Sequence, residues 1–552
     1  MRDVIDLKTL PSHLLEWLLD LPPAETRDIV VERDLRVPMP DGTVLLADRH
    51  APRDAKKRPL ILVRSPYGRT GPLGVMLGRP FAERGFSVLI QSCRGTFGSG
   101  GVLDPFRTEK DDGIATLAWL KEQPWFSGEI ATFGPSYLGF VQWAIARDAG
   151  SMLKAMSPQI TLSNFRDFKY PGETFSLDAM LRWTQLVHIQ EKPLHEQMLT
   201  RFASRRSFER AFVHLPLSEA DRMVLGHRVG FFQDWLEHNA PGDPWWTPVN
   251  HTDTVAEVTA PALFIGGFYD IFLPWQLQDY AALVAAGQKP YLTIGPWSHT
   301  SRPLFKESIR ESLAWFRAHM LGDRSRLREA PVRIYVMGAD EWREYPTWPP
   351  PGVRTERYHL QPNRGLAPKP PAASSPDHYR YDPADPTPSV GGALLNDESG
   401  PQDNRALEAR RDVLTYTTPP LDRNVEVIGP VSAELFVQSS LPHTDFFVRL
   451  CDVDPSGRSV NLCDGIQRLV PGRPAPRPDG TLAITIELWP TAHRFRRGHR
   501  IRVQVSSGAH PRFARNPGSG EPLATATRLL PADQTVHHDP ERPSAIVLSV
   551  LG

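Results

Sequence analysis

The chain has 552 residues, too many for one ordinary domain and enough for three or four units of about 150 residues each. Hydrophobic residues make up 40% and charged residues 23%, the mix of a soluble globular protein rather than a disordered or membrane-spanning one. Acidic and basic residues balance at 63 each, so net charge gives no reason to expect nucleic acid or an anionic membrane as partner, and three cysteines exclude a disulfide framework.

The N-terminal stretch MRDVIDLKTLPSHLLEWLLDLPP has charges at Arg2, Asp3, Asp6 and Lys8, which interrupt the apolar core a signal peptide needs. No run reaches about 18 apolar residues, so no transmembrane helix is expected and the expected location is cytoplasmic. Leu14, Leu15, Trp17, Leu18 and Leu19 predict one short amphipathic helix docked on the body of the protein. Residues 29–50 read as a β-hairpin, two alternating runs flanking Pro40-Asp41-Gly42. PLILVRS (59–65) and FSVLIQS (86–92) are near-continuous apolar runs, as buried parallel strands are. Residues 108–123 place Ile114, Leu117, Ala118 and Leu120 on one predicted helix face. EIATFG (129–134) predicts a short strand, and 136–150 a turn leading into a helix that stops at Gly150.

From about 160 to 255 the pattern becomes helical and rich in aromatics, with little strand signal. Strands resume at PALFIGG (261–267) and PYLTIG (290–295), separated by a helix and followed by another at 312–321. Strands alternating with helices argue for a mostly parallel sheet. After about 331 proline becomes frequent and short alternating runs recur up to AIVLSVL, which predicts an all-β domain.

Three residues stand at three strand ends. Ser136 lies between EIATFG and SYLGF, a strand–turn–helix junction that can hold a serine in a sharp, exposed turn, with Gly134 and Gly139 leaving room for it. Leu138 stands where G-x-S-x-G has its second glycine, so on the local motif alone a helix-capping serine and a nucleophile are both open. Asp270 follows PALFIGGFY and His299 follows PYLTIGPWS. The order Ser, Asp, His is that of α/β-hydrolases, whose chemistry needs a base to take the serine proton and a carboxylate to orient that base. Asp279 is the competing acid, expected to be solvated on its helix. Acyl transfer also needs donors for an oxyanion. The Tyr137 backbone N–H is one candidate and the Tyr67 hydroxyl in SPYGR another, although residue logic alone reads Tyr67 as an ordinary half-buried aromatic. Cys93 reads as a buried structural thiol. His537-His538 and His251/Asp253 fall short of any metal-binding spacing, so neither metal nor cofactor is expected.

With MPDGTVLLADRHAP, RSPYGR, QSCRGTFGSGG, GPSYLGF, GGFYDIF, GPWSHT, SVNLCDGI and HPRFARNPG collected, the chain resembles the CocE/NonD family of serine hydrolases from about residue 30 to its end. The family pattern G-x-S-Y-x-G covers Gly134 to Gly139, which removes the Leu138 anomaly. The resemblance implies Ser136, Asp270 and His299 as the triad, and Tyr67 with the Tyr137 amide as the oxyanion hole. It also implies an α/β-hydrolase core, a helical cap and a C-terminal jelly roll. The expected boundaries are an N-terminal helical extension at 1–30, the core at 31–160 and 256–325, the cap at 161–255 and the jelly-roll β-sandwich at 330–552. Ser92 departs from the Asp that many relatives carry. Ile271, Phe272 and Leu273 follow Asp270 where α-amino acid ester hydrolases have acidic residues. This implies a hydrophobic acyl pocket without a carboxylate for a substrate ammonium, lined by Phe272, Trp183 and Leu394 or Leu395. The expected substrate is a small-molecule acyl ester, with an X-Pro peptide or other amide as the alternative and a non-catalytic binding protein as the rival of another class. No nucleic acid or membrane partner is expected, and homo-oligomerisation is left open.

Overall fold

The computed structural model describes residues 10–54 and 56–552. The first nine residues, part of the expected N-terminal extension, lie outside the described residues. The rest of that extension is α1 (Leu10–Leu19), which docks through Leu19 and a Ser12–Glu83 hydrogen bond while Leu14, Trp17 and Leu18 face outward.

β1 (Ile29–Pro38) and β2 (Val44–Pro52) form the expected hairpin. β3 (Leu60–Ser65), α2 (Gly71–Ala82), β4 (Ser87–Ser92), α3 (Glu109–Lys121), β5 (Ile130–Pro135), α4 (Tyr137–Ala149) and β6 (Leu153–Gln159) follow. The helices between β6 and the next strand include α5 (Phe165–Lys169), α6 (Leu177–Ile189), α7 (Leu194–Val213), α8 (Ala220–Leu225), α9 (Gly230–Glu237) and α10 (Thr252–Val255). β7 (Leu263–Tyr269), α11 (Leu273–Ala285), β8 (Tyr291–Ser298), α12 (Arg302–Met320), β9 (Val332–Val336) and β10 (Glu341–Tyr345) complete this part. The ten strands make one sheet in the order β1-β2-β4-β3-β5-β6-β7-β8-β9-β10, with β4 to β9 running parallel. Every residue of β3, β4 and β7 is buried, which is why these segments read as near-continuous apolar runs.

Three expectations change. β6 has no alternating pattern, and Lys154 and Pro158 mask it, yet it sits mid-sheet between β5 and β7. Residues after 330 do not all belong to the C-terminal domain: β9 pairs parallel with β8, and β10 closes the first sheet antiparallel to β9. On α3 the period was legible but the face was not. Ile114 and Ala118 are exposed, while Glu109, Asp112 and Thr116 are buried beside Leu117 and Leu120. The reason is a polar interior under that helix: Glu109 pairs with buried Arg64, Asp112 with Arg94, and Thr116 bonds Gln91.

The remaining chain forms a β-rich domain, a second sheet of twelve strands running from Val353–Gln361 to Ala545–Leu551 and mostly antiparallel. Among the described residues no helix is long and apolar enough to cross a membrane.

Candidate active site

Ser136 stands where β5 hands over to α4, with φ at 59° and ψ at −124°. A non-glycine residue there is strained, and the surroundings fix it. Its N–H donates to Gln159 O at 2.9 Å, and its carbonyl accepts from Gly139 N–H at 2.8 Å and from Thr161 Oγ at 2.8 Å. The glycines of the motif are steric requirements. A Cβ on Gly134 would lie 2.4 Å from Leu138 Cβ, and one on Gly139 would lie 2.5 Å from Thr161 Cβ.

β7 and β8 end side by side and deliver the other two groups. His299 Nδ1 lies 2.7 Å from Asp270 Oδ2, and His299 Nε2 lies 3.1 Å from Ser136 Oγ. Asp270 is fully buried, and its second oxygen accepts the Phe272 N–H at 2.7 Å, so the carboxylate can turn neither way. The C-terminal domain adds a brace: Trp489 Nε1–H donates to Asp270 O at 3.0 Å. No motif pointed to Trp489, because 219 residues separate the partners.

Tyr67 enters the same site. Its hydroxyl accepts from Trp183 Nε1–H of α6 at 2.9 Å, which occupies a lone pair and leaves the phenolic proton free to donate. Burial pushes the Tyr67 hydroxyl up to about 12, against the lowering effect of Trp183 and Ser136, so it keeps its proton at neutral pH. The Tyr137 N–H is the first of α4 and belongs to the turn whose donors have no acceptor within the helix. The Tyr137 side chain points inward. Its hydroxyl donates to Glu109 Oε1 at 2.7 Å and accepts the Phe106 N–H at 3.0 Å, and Arg64 holds the other Glu109 oxygen at 2.7 Å. Cys93 closes this buried group, and burial, reinforced by Glu109, pushes its thiol well up, which suits an inert thiol. Ser92 accepts from Arg69 at 3.0 Å, and Asp48 supplies that arginine's carboxylate from β2, so the departure at position 92 leaves no unpaired charge.

A cavity of about 1330 Å³ opens over Ser136 and His299. Phe272, Trp183 and Leu395 line it. Leu394 does not: it lines a small adjoining space with Trp275 and Trp489, which Leu395 also borders. The expectation of a cavity without carboxylates also fails. Glu209 from α7 and Asp397 and Glu398 from the loop after Leu395 reach its wall, from parts of the chain remote from Asp270. Asp279 is not solvated. It is buried and accepts from Ser163 N–H at 2.9 Å and Ser163 Oγ at 2.6 Å, anchoring the chain after β6 rather than facing His299. Among the described residues no cluster of three or more His, Cys, Asp or Glu could hold a metal; His251 packs on Phe140, and His538 is bonded to Ser374 and Asp377.

Comparison with known proteins matches the chain in two parts. Residues 41–301 match the X-Pro dipeptidyl-peptidase (S15 family) model, and residues 326–547 match the X-Pro dipeptidyl-peptidase C-terminal non-catalytic domain. The chain is similar to cocaine esterase of Rhodococcus sp. (strain MB1 Bresler), 33% identical over 576 aligned residues that cover 94% of this chain and 98% of the relative. In fold it is similar to an α-amino acid ester hydrolase, with a TM-score of 0.79 at 21% identity over 100% of both chains. A CocE/NonD family hydrolase from Staphylococcus aureus gives a TM-score of 0.69 at 17% identity over 95% of this chain and 94% of that one. With an α/β-hydrolase sheet, a β-rich C-terminal domain and a near full-length relative at this identity, the chain belongs to the CocE/NonD family of hydrolases.

Proposed function

We propose that this hydrolase cleaves acyl esters at Ser136 through an acyl-enzyme intermediate. The observation that carries the reading is the hydrogen-bonded line Ser136–His299–Asp270 at the floor of an open cavity, with 3.1 Å and 2.7 Å between the partners. His299 takes the serine proton as Oγ attacks the acyl carbon, and Asp270 steadies the imidazolium. The oxyanion then forms between the Tyr67 hydroxyl and the Tyr137 N–H. His299 passes the proton to the leaving alcohol, and water releases the acid by the same steps reversed. Phe272, Trp183 and Leu395 favour an apolar group beside the reacting carbon. In this reading the helices of 161–255 act as a cap over the site, and the C-terminal domain, taken as a jelly roll, braces it through Trp489 and walls it with the loop at Leu395.

The family match over residues 41–301 favours a second reading, cleavage of X-Pro peptides or related amides by the same three residues. A panel of neutral acyl esters and X-Pro amides separates the two. The test of the shared mechanism is Ser136→Ala: ester turnover and fluorophosphonate labelling should both vanish from a protein with a wild-type circular dichroism spectrum. A variant that turns over near the wild-type rate would remove Ser136 from the chemistry.

A further inference from the structure

Lys169 ends α5, beneath the substrate cavity, and is 0% exposed. Its Nζ has no hydrogen-bond partner and, among the described residues, no paired carboxylate. Instead it lies 4.0 Å from the Phe165 ring centre, 4.3 Å from Trp235, 4.7 Å from Phe106 and 5.3 Å from Trp246. Arg166 on the same helix is turned away to Glu173. Ring faces attract a cation, but they do not replace three lost hydrogen bonds, and a buried donor with no acceptor calls for a reason. Burial alone holds this amine well below the usual lysine range.

The cage is also a partition. Phe106, Phe165 and Trp235 touch Nζ and line the substrate cavity as well, so a single layer of rings separates the amine from that cavity. The four-carbon stem of a lysine is long and flexible enough to carry its head around such a layer. We propose that Lys169 is a specificity-determining residue that leaves its cage to pair with a carboxylate at the far end of the acyl chain, so that the preferred substrates are monoesters of dicarboxylic acids. The amine takes one proton from solvent as it meets the carboxylate, and no covalent bond changes. The inference rests on the ester-hydrolase reading above and assigns the substrate class of that same site.

The test compares kcat/KM for three matched esters: monophenyl glutarate, phenyl pentanoate and the phenyl ester of 5-aminopentanoic acid. The wild type should favour the glutarate ester over the pentanoate by about tenfold or more, the scale of a desolvated charge pair. In Lys169→Met that ratio should fall to about one or below, chiefly through KM. Calorimetry of monophenyl glutarate binding to the Ser136→Ala protein, in two buffers of different ionisation enthalpy, should show uptake of about one proton. This arm stands if Lys169→Met does not fold. A wild type without preference for the glutarate ester, an unchanged ratio in Lys169→Met, or binding without proton uptake would each overturn the assignment. Preference for the amino ester would also overturn it, giving recognition to Glu209, Asp397 and Glu398. Turnover of phenyl pentanoate and labelling of Ser136 report the hydrolase reading separately, so either can fail without the other.

Discussion

Replacing Tyr67 by Phe removes one hydroxyl and leaves the ring in the cavity wall beside Tyr137. Two consequences follow from the geometry. The first is catalytic. Trp183 occupies a lone pair of the hydroxyl, and its burial-raised pKa of about 12 keeps the proton in place, so Tyr67 offers one preset donor beside Ser136. A contact of this kind tightens as charge develops on the oxyanion, so its loss falls on kcat and leaves KM nearly unchanged. Deleting one oxyanion donor costs about a hundredfold to a thousandfold in kcat, roughly 2.7–4 kcal/mol. The second is structural. Trp183 is 9% exposed, and its Nε1–H would lose its acceptor, at a cost of about 1–3 kcal/mol in folding stability. Steady-state kinetics on a neutral phenyl ester and thermal unfolding of the same preparation read both effects. Labelling of Ser136 by fluorophosphonate should slow but persist, since the nucleophile and its base are untouched. A kcat within about threefold of wild type, on the order of 0.6 kcal/mol, would refute the reasoning and leave the oxyanion to backbone donors.

Trp489→Phe deletes the bond to Asp270 O while keeping most of the packing; kcat should fall about three- to tenfold, on the order of 1 kcal/mol, with KM little changed, and an unaltered kcat would show that the C-terminal domain does not brace the triad. Gly139→Ala drives a methyl into Thr161, which holds Ser136 O. We expect about 1–3 kcal/mol of lost stability and at least about a tenfold loss of turnover; a fully active, stable variant would show that the elbow tolerates displacement. For Asp279, burial raises the carboxyl from 3.8 to about 8 although its bonds from Ser163 oppose the shift. The folded protein therefore keeps a proton that the unfolded chain gives up, and this group makes stability fall as pH rises from about 4 to about 8. Asp279→Asn should gain on the wild type across that window in thermal unfolding, and a pH-independent difference would contradict the assignment.

The sequence by itself determined the order of the parts and marked the candidate residues at the strand ends. Buried parallel strands are mostly apolar, so β3, β4, β7 and β8 are legible, and the groups just past β5, β7 and β8 can be read as one set because sheet topology brings strand ends together. Crowding at the elbow made Gly134 and Gly139 legible for the same reason, since a local steric demand leaves a local mark. Tertiary structure decided what depends on distant neighbours. Whether a polar residue on a helix faces water or a partner is not local, which is why the buried face of α3 and the buried Asp279 went against their residue types. β6 joined the sheet because neighbouring strands supplied partners, not because its own residues alternate, and β9, whose residues do alternate, went to the first sheet because it pairs with β8. The carboxylates at Glu209, Asp397 and Glu398, the brace at Trp489 and the aromatic cage of Lys169 all arise where segments remote along the chain meet, and side chains chosen for such contacts leave no period or spacing in the sequence.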